Sequence, residues 1–197
     1  MKDDLCYNAK EGCVIMIVLV GASASGKTEL AKQLYQTYGY TKCITTTTRE
    51  PRKNEVDGLD YHFLTKDEFN TLISQDAFYE VTHYNEYAYG IQKKDVNQEG
   101  VVIVDPDGAN TLIEKAGKDV FVVYVETSVE VRKLRMIKRG DESNLIEKRL
   151  INDAHVFDTK RFKRIDLHLY NEEHTLKELT KQVHDAYQNY LAILKKF

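Results

Sequence analysis

The sequence predicts an α/β fold built on a parallel sheet, and three observations carry that prediction. Continuous β-branched runs recur as "VIMIVLV" at 14–20, "VVIVD" at 101–105 and "VFVVYVE" at 120–126, the composition of strands buried on both faces. Helical periodicity fills the stretches between and after them. The first run breaks directly into a glycine-bearing turn, "GASASGKT", that opens a helix.

Residues 14–20 form the first strand. Residues 28–38 place Leu30, Ala31, Leu34 and Tyr35 on one stripe, which makes a helix. Four threonines at 45–48 favour extended chain and make weak helix. The region 45–91 then breaks the strand–helix alternation. Its short aromatic strands, "YHF" and "FYEVTHY", flank a helix begun by Thr65 and Glu68, and it reads as an insert on the core. "LHLY", before Asn171, is a last short strand. Thr127 with Glu130, and Thr175 with Glu178, carry capping-box spacing and are expected to start two further helices.

A chain of 197 residues suits one domain with a full core, or one domain carrying insertions. Hydrophobic residues at 42% and charged residues at 30% exclude a disordered chain. The net charge of -3 argues against a protein that coats nucleic acid. With only Pro51 and Pro106 there is no Pro-rich linker. The strongest apolar run is far shorter than the ~20 residues of a membrane helix, and Asp3, Asp4 and Glu11 ahead of it are wrong for a signal peptide. Cys6, Cys13 and Cys43 are odd in number without CxxC spacing, so neither a zinc site nor a disulfide framework is expected. A cytoplasmic location fits, with Cys43 a small buried hydrophobe on a strand. The histidines show no metal-binding spacing.

"GASASGKT" matches GxxxxGK[ST], and it stands after a buried strand and before a helix, where a phosphate loop must be. Its glycines let the chain curl so that backbone N–H groups point at phosphate oxygens, and the helix N-terminus adds partial positive charge. Gly21, Ala22, Ser23, Ala24, Ser25, Gly26, Lys27 and Thr28 are therefore expected to bind a nucleoside triphosphate. Lys27 would reach the β- and γ-phosphates, and the Thr28 hydroxyl would ligate Mg²⁺. Arg135 and Arg139 lie four apart, so on a helix they share a face and can converge on polyphosphate. Arg132, Lys133 and Lys138 in the same run are expected to be a solvated face.

Downstream, "TTTTREPRKNEVDGLDYHF" carries two planar cations, Arg49 and Arg52, stiffened by Pro51. Guanidinium forks match an oxyanion bidentately. Here the chain resembles the guanylate kinase family, whose pattern is roughly TTRxPRxGExxGxDYxF. The resemblance continues through "FYEV", "YAYG", "VDPDG", "RMIKRG" and "EKRL" to "LYNEE", covering nearly all of the chain after residue 13.

The resemblance implies a P-loop nucleoside triphosphate hydrolase fold, three-layer α/β/α, with a small mixed-strand monophosphate-binding insert and a helical lid. It implies one domain: core about 14–44, 92–134 and 160–197, insert about 45–91, lid about 135–159. It also implies that insert and lid move on substrate binding. By the same resemblance Arg49 and Arg52 clamp the phosphate of GMP, and Tyr61 and Tyr89 hydrogen-bond it. Glu80 accepts from the adjacent N1–H and amine donors of guanine, a pairing that adenine cannot offer. Thr45 is expected near the base, Asp105 near base and metal, and Gly90 and Ile91 in the acceptor site. Arg149 matches a lid arginine, so Lys27, Arg49, Arg139 and Arg149 are the expected catalytic cations. Asn171 matches the asparagine of a late "ND" motif, with Glu172 in place of the acid.

Three positions depart from the pattern. Asn54 replaces a glycine, which asparagine can serve if a positive φ is needed. Glu29 follows Thr28 where small or hydroxyl residues are common. Ile91 replaces a hydroxyl residue that contacts guanine. The expected activity is transfer of the γ-phosphoryl group of ATP to GMP or dGMP with Mg²⁺. Nucleotides are the expected partners, with no nucleic acid and no membrane. A kinase of another nucleoside monophosphate and a non-catalytic interaction module are the alternatives.

Overall fold

The computed structural model describes residues 16–84, 86–97, 99–172 and 174–196. Its central sheet has five parallel strands. β1 (Met16–Val20) lies in the middle between β7 (Gly100–Ile103) and β8 (Val120–Glu126), and β2 (Thr41–Lys42) and β9 (Leu167–Tyr170) form the edges. Every residue of β1 is buried because alternate side chains enter two separate cores. Ile17 and Leu19 pack with Leu30 and Leu34 of α1 (Lys27–Tyr38) and Val183 and Tyr187 of α6 (Leu176–Leu194). Met16, Val18 and Val20 pack on the other face with Ala109 and Leu112 of α3 (Pro106–Ala116).

A second sheet of four strands branches from the first. β4 (His62–Phe63), β3 (Thr45–Thr47), β6 (Tyr87–Gln92) and β5 (Phe78–Tyr84) lie in that order, with β3 and β4 parallel and the other pairs antiparallel. α2 (Lys66–Ser74) precedes β5 and starts on the Thr65–Glu68 capping box read from the sequence. After β8 the chain forms α4 (Val129–Arg139) and α5 (Ser143–Val156). Thr175 and Glu178 cap α6 reciprocally, as expected. No helix among the described residues is long and apolar enough to cross a membrane.

Several expectations need correction. Residues 14 and 15 of the first expected strand, and Cys6 and Cys13, lie outside the described residues. α4 is capped by Ser128, not Thr127: Ser128 Oγ accepts from the Val131 N–H, while the Thr127 hydroxyl turns inward to Ser25 O at 3.1 Å. The "VVIVD" strand ends at Ile103, and Asp105 is the N-cap of α3. Cys43 is buried just beyond β2 and keeps its backbone bond to Val101 O at 3.1 Å. Asn54 is absent from the residues with positive φ, so the turn there makes no use of asparagine's tolerance. Arg132 is 6% exposed and belongs to the interior, whereas Lys133 and Lys138 are exposed as expected.

Candidate active site

The loop 21–28 connects the centre of the parallel sheet to α1, which aims the α1 N-terminus along the C-terminal edge of the strands. Two of its glycines are required. A Cβ on Gly21 would sit 2.3 Å from Val125 O, and one on Gly26, where φ is 102°, would sit 2.2 Å from Asn171 Nδ2. Asn171 thereby approaches the loop from behind and donates to Ser25 O at 2.7 Å. Arg135 braces the same loop, donating to Ala24 O and to Asn171 O, each at 3.2 Å.

Lys27 folds back over its own loop and donates to Gly21 O at 2.5 Å and Ala22 O at 2.9 Å. Burial lowers its pKa to about 8; Asp153 opposes the shift, and Arg132 and Arg52 add to it. An ammonium so placed gains strongly from a nearby anion. Asp153, at the C-terminal part of α5, meets the loop directly. Its carboxylate accepts the Ser23 N–H at 2.8 Å, pairs with Arg132 at 3.2 Å and accepts the Tyr84 hydroxyl.

The loop opens into a cavity of about 390 Å³. Gly21, Ser23, Ala24, Gly26, Lys27 and Thr28 of the loop line it. Arg49, Arg52, Tyr61 and Tyr89 line it too, together with Arg135 and Arg139. So do Thr45, Glu80 and Asp105, with Thr82, Tyr84 and Phe157. Most of the residues singled out in the sequence therefore share one cavity.

Arg49, Arg52, Arg139 and Arg149 cluster where this cavity meets an adjoining cleft. The pKa of Arg52 is lowered by burial and by the charges of Arg49, Arg139 and Arg149. Each is held by an on-board carboxylate. Glu55 takes two bonds from Arg49 Nη2, at 3.0 and 2.9 Å, one from the Arg52 backbone N–H at 2.8 Å and one from Arg52 Nη1 at 3.5 Å. Asp141 takes Arg139 through both of its oxygens and Arg149 at 2.9 Å. These pairs hold the forks in place yet leave further N–H donors for an oxyanion.

Glu80 is 3% exposed, and its Oε1 has no hydrogen-bond partner among the described residues. Burial and the neighbouring Asp105 carboxylate push its pKa up to about 8, against the nearby Thr82 hydroxyl. Glu80 fits here because residue 108 is glycine: a Cβ there would stand 3.0 Å from Glu80 Oε1. Asp105 accepts from the Gly108 N–H at 2.8 Å and from the Thr82 hydroxyl at 2.9 Å, and its own pKa is raised by burial.

Some expected residues stand elsewhere. Ile91 does not line the cavity. It is fully buried, paired with Thr45 and Glu80 across the second sheet and part of the apolar cluster that includes Val18 and Val102. Gly90 does not line it either, and a Cβ there would meet the Phe78 ring at 2.7 Å. Ala22 and Ser25 are buried within the loop itself. Arg149 lines the adjoining cleft with Asn54, Glu55 and Asp141. Sequence reasoning passed over Glu55, Asp141, Asp153 and Thr82; the carboxylate at 55 had a signal, standing beside two arginines.

Fold and site define a P-loop α/β protein with a cation-lined second subsite in the same cavity as its phosphate loop. The chain belongs to the guanylate kinase family, whose family model matches residues 14–190. It is similar to the guanylate kinase of Clostridium acetobutylicum, at 38% identity over 66% of this chain and 65% of that relative. It is also similar to that of Hyphomonas neptunium, at 35% identity over 69% and 67%. The match thus spans about two thirds of the relatives' length. A solved guanylate kinase from Anaplasma phagocytophilum shares the fold, with a TM-score of 0.67 at 20% identity over 90% of this chain and 87% of that one. A gluconokinase from Sinorhizobium meliloti shares it more distantly, with a TM-score of 0.53 at 15% identity over 94% and 97%.

Proposed function

We propose that this protein is a guanylate kinase, transferring the γ-phosphoryl group of ATP to GMP or dGMP to give ADP and GDP. The observation that carries the reading is the continuity of one cavity from the phosphate loop, past converging arginines, to a buried carboxylate with an open oxygen. A donor phosphate on Lys27 and an acceptor phosphate on Arg49 and Arg52 would meet in the middle. Phosphoryl transfer asks little covalent work of the protein; it needs alignment and positive charge on the moving group. Arg139 and Arg149 would supply that charge from the lid, and Tyr61 and Tyr89 would complete the acceptor phosphate's shell. Glu80 would read the guanine donors.

Among the described residues no group of three histidine, cysteine or carboxylate side chains could hold a metal ion. Thr28, which carries a hydroxyl, lines the cavity. That set fits Mg²⁺, which keeps most of its waters and takes its other oxygens from phosphates. Thr28 would hold it, and Asp105 would act on it only through water, since Thr82 and Gly108 already engage both carboxylate oxygens. Bound there, Mg²⁺ supplies neutralisation of phosphate charge.

The 45–91 and 135–159 segments would close over the nucleotides as insert and lid, in one domain working in the cytoplasm. Coupled measurement of ADP release across GMP, dGMP, AMP, CMP and UMP tests the reading. Turnover led by GMP and dGMP is expected. Turnover led by another monophosphate, or none, would reject it.

A further inference from the structure

Resting on that reading, we propose that Thr82 is a specificity-determining residue that reads the exocyclic amine of the acceptor base and separates GMP from its deamino counterpart, IMP.

Thr82 stands two residues beyond Glu80 on β5, so both side chains project from the same face. Both are buried and both line the cavity. The third member of the group is Asp105, at the start of α3, whose Oδ2 accepts the Thr82 hydroxyl at 2.9 Å. A hydroxyl has one proton. Because Asp105 takes it, Thr82 turns only lone pairs toward the cavity. Glu80, in the carboxylate form that guanine needs, is likewise an acceptor, and its Oε1 has no hydrogen-bond partner among the described residues. The wall formed by Glu80, Thr82 and Asp105 is therefore made of acceptors.

An acceptor wall selects ligands by the number of N–H donors on one edge. Guanine presents N1–H and both hydrogens of its 2-amino group there. Hypoxanthine presents N1–H alone, and adenine places a ring acceptor beside its amine. A carboxylate satisfies two adjacent donors, so Glu80 uses N1–H and one amine hydrogen. The other amine hydrogen needs a further acceptor, and Thr82 Oγ1 is the next one along the strand. Ile91 cannot serve, being apolar and not among the residues that line the cavity. Asp105 acts through Thr82 by fixing which way the hydroxyl points.

The test compares kcat/KM for GMP and IMP in the full chain with ATP and Mg²⁺, for wild type, Thr82→Val and Thr82→Ser. The GMP:IMP ratio within one sample does not depend on how much of the protein is folded. Valine keeps the shape and removes the acceptor, so the ratio should fall about 3- to 10-fold, with the loss on the GMP side. Serine keeps the hydroxyl and should hold the wild-type ratio. If valine lowers both acceptors alike, or leaves the ratio within about 2-fold of wild type, Thr82 only braces Asp105 and the proposal is overturned. A serine variant that falls as far as valine overturns it too. Wild-type protein that fails to phosphorylate GMP would instead remove the functional reading beneath it.

Discussion

The Asp153 carboxylate accepts the Ser23 backbone N–H at 2.8 Å across 130 residues of chain, joining α5 to the phosphate loop. The same carboxylate compensates Arg132, which is equally shut off from solvent. Removing it leaves a buried cation unpaired, and such losses cost about 3–5 kcal/mol. Asp153→Ala should lower unfolding free energy by that order in urea titration and loosen the loop that positions Lys27. An Arg132→Met/Asp153→Leu double variant should recover most of the stability. An Asp153→Ala variant as stable as wild type, or a double variant no more stable than Asp153→Ala, would show that the pair does not hold this junction together.

Lys27 sits in the phosphate loop with its pKa lowered to about 8, chiefly by burial. Triphosphate favours the charged amine, so ATP affinity should be full below that pH and weaken as pH rises through and beyond it. Calorimetric ATP titrations from pH 7 to 9.5 should show this in wild type and a flatter profile in Lys27→Met, at much lower affinity. Equal slopes would place the titrating group elsewhere.

Glu80 has the opposite sign. The folded protein holds its proton up to about 8, whereas the ordinary value is 4.5. The native state therefore binds more protons between those limits, and this group's contribution makes stability fall as pH rises through the window. Guanine needs the carboxylate, so GMP affinity should rise toward pH 8. Glu80→Gln should lose the Glu80 share of both dependences and weaken GMP by about 1.5–3 kcal/mol. Calorimetry and thermal melts on the same samples check it; an unchanged GMP affinity would remove Glu80 from the base site.

Ile91 is fully buried in the apolar cluster that includes Val18 and Val102, and it does not line the cavity. Ile91→Thr places a hydroxyl in an apolar core and should cost about 2 kcal/mol or more. GMP affinity of the folded fraction should stay the same. A gain in affinity would mean that the side chain reaches the cavity after all.

Much of this was legible in the sequence, for identifiable reasons. β8 and β9 were read residue for residue because buried parallel strands leave uninterrupted β-branched runs. The Thr65 and Thr175 caps were legible because a capping box is local. Thr127 misled because tertiary contacts to the phosphate loop outbid a local cap, and Ser128 was next in line. β6 was not anticipated, since "YAYGIQ" alternates poorly and is ordered by pairing with β3 and β5. Arg132 looked like its solvated neighbours until Asp153 arrived from α5 to pair with it. The phosphate loop and arginine clamp carry their chemistry in contiguous letters. The acceptor wall does not, because Thr82 gains its meaning only from Asp105, which lies 23 residues away.

The most direct measurement follows the phosphoryl group itself. ATP labelled at the γ-phosphate is incubated with the protein, Mg²⁺ and GMP, and the labelled products are separated. The account predicts label in the β-position of GDP, in step with ADP formed, and little free phosphate when GMP is omitted. Label released as inorganic phosphate, or none leaving ATP while GMP is present, would contradict it.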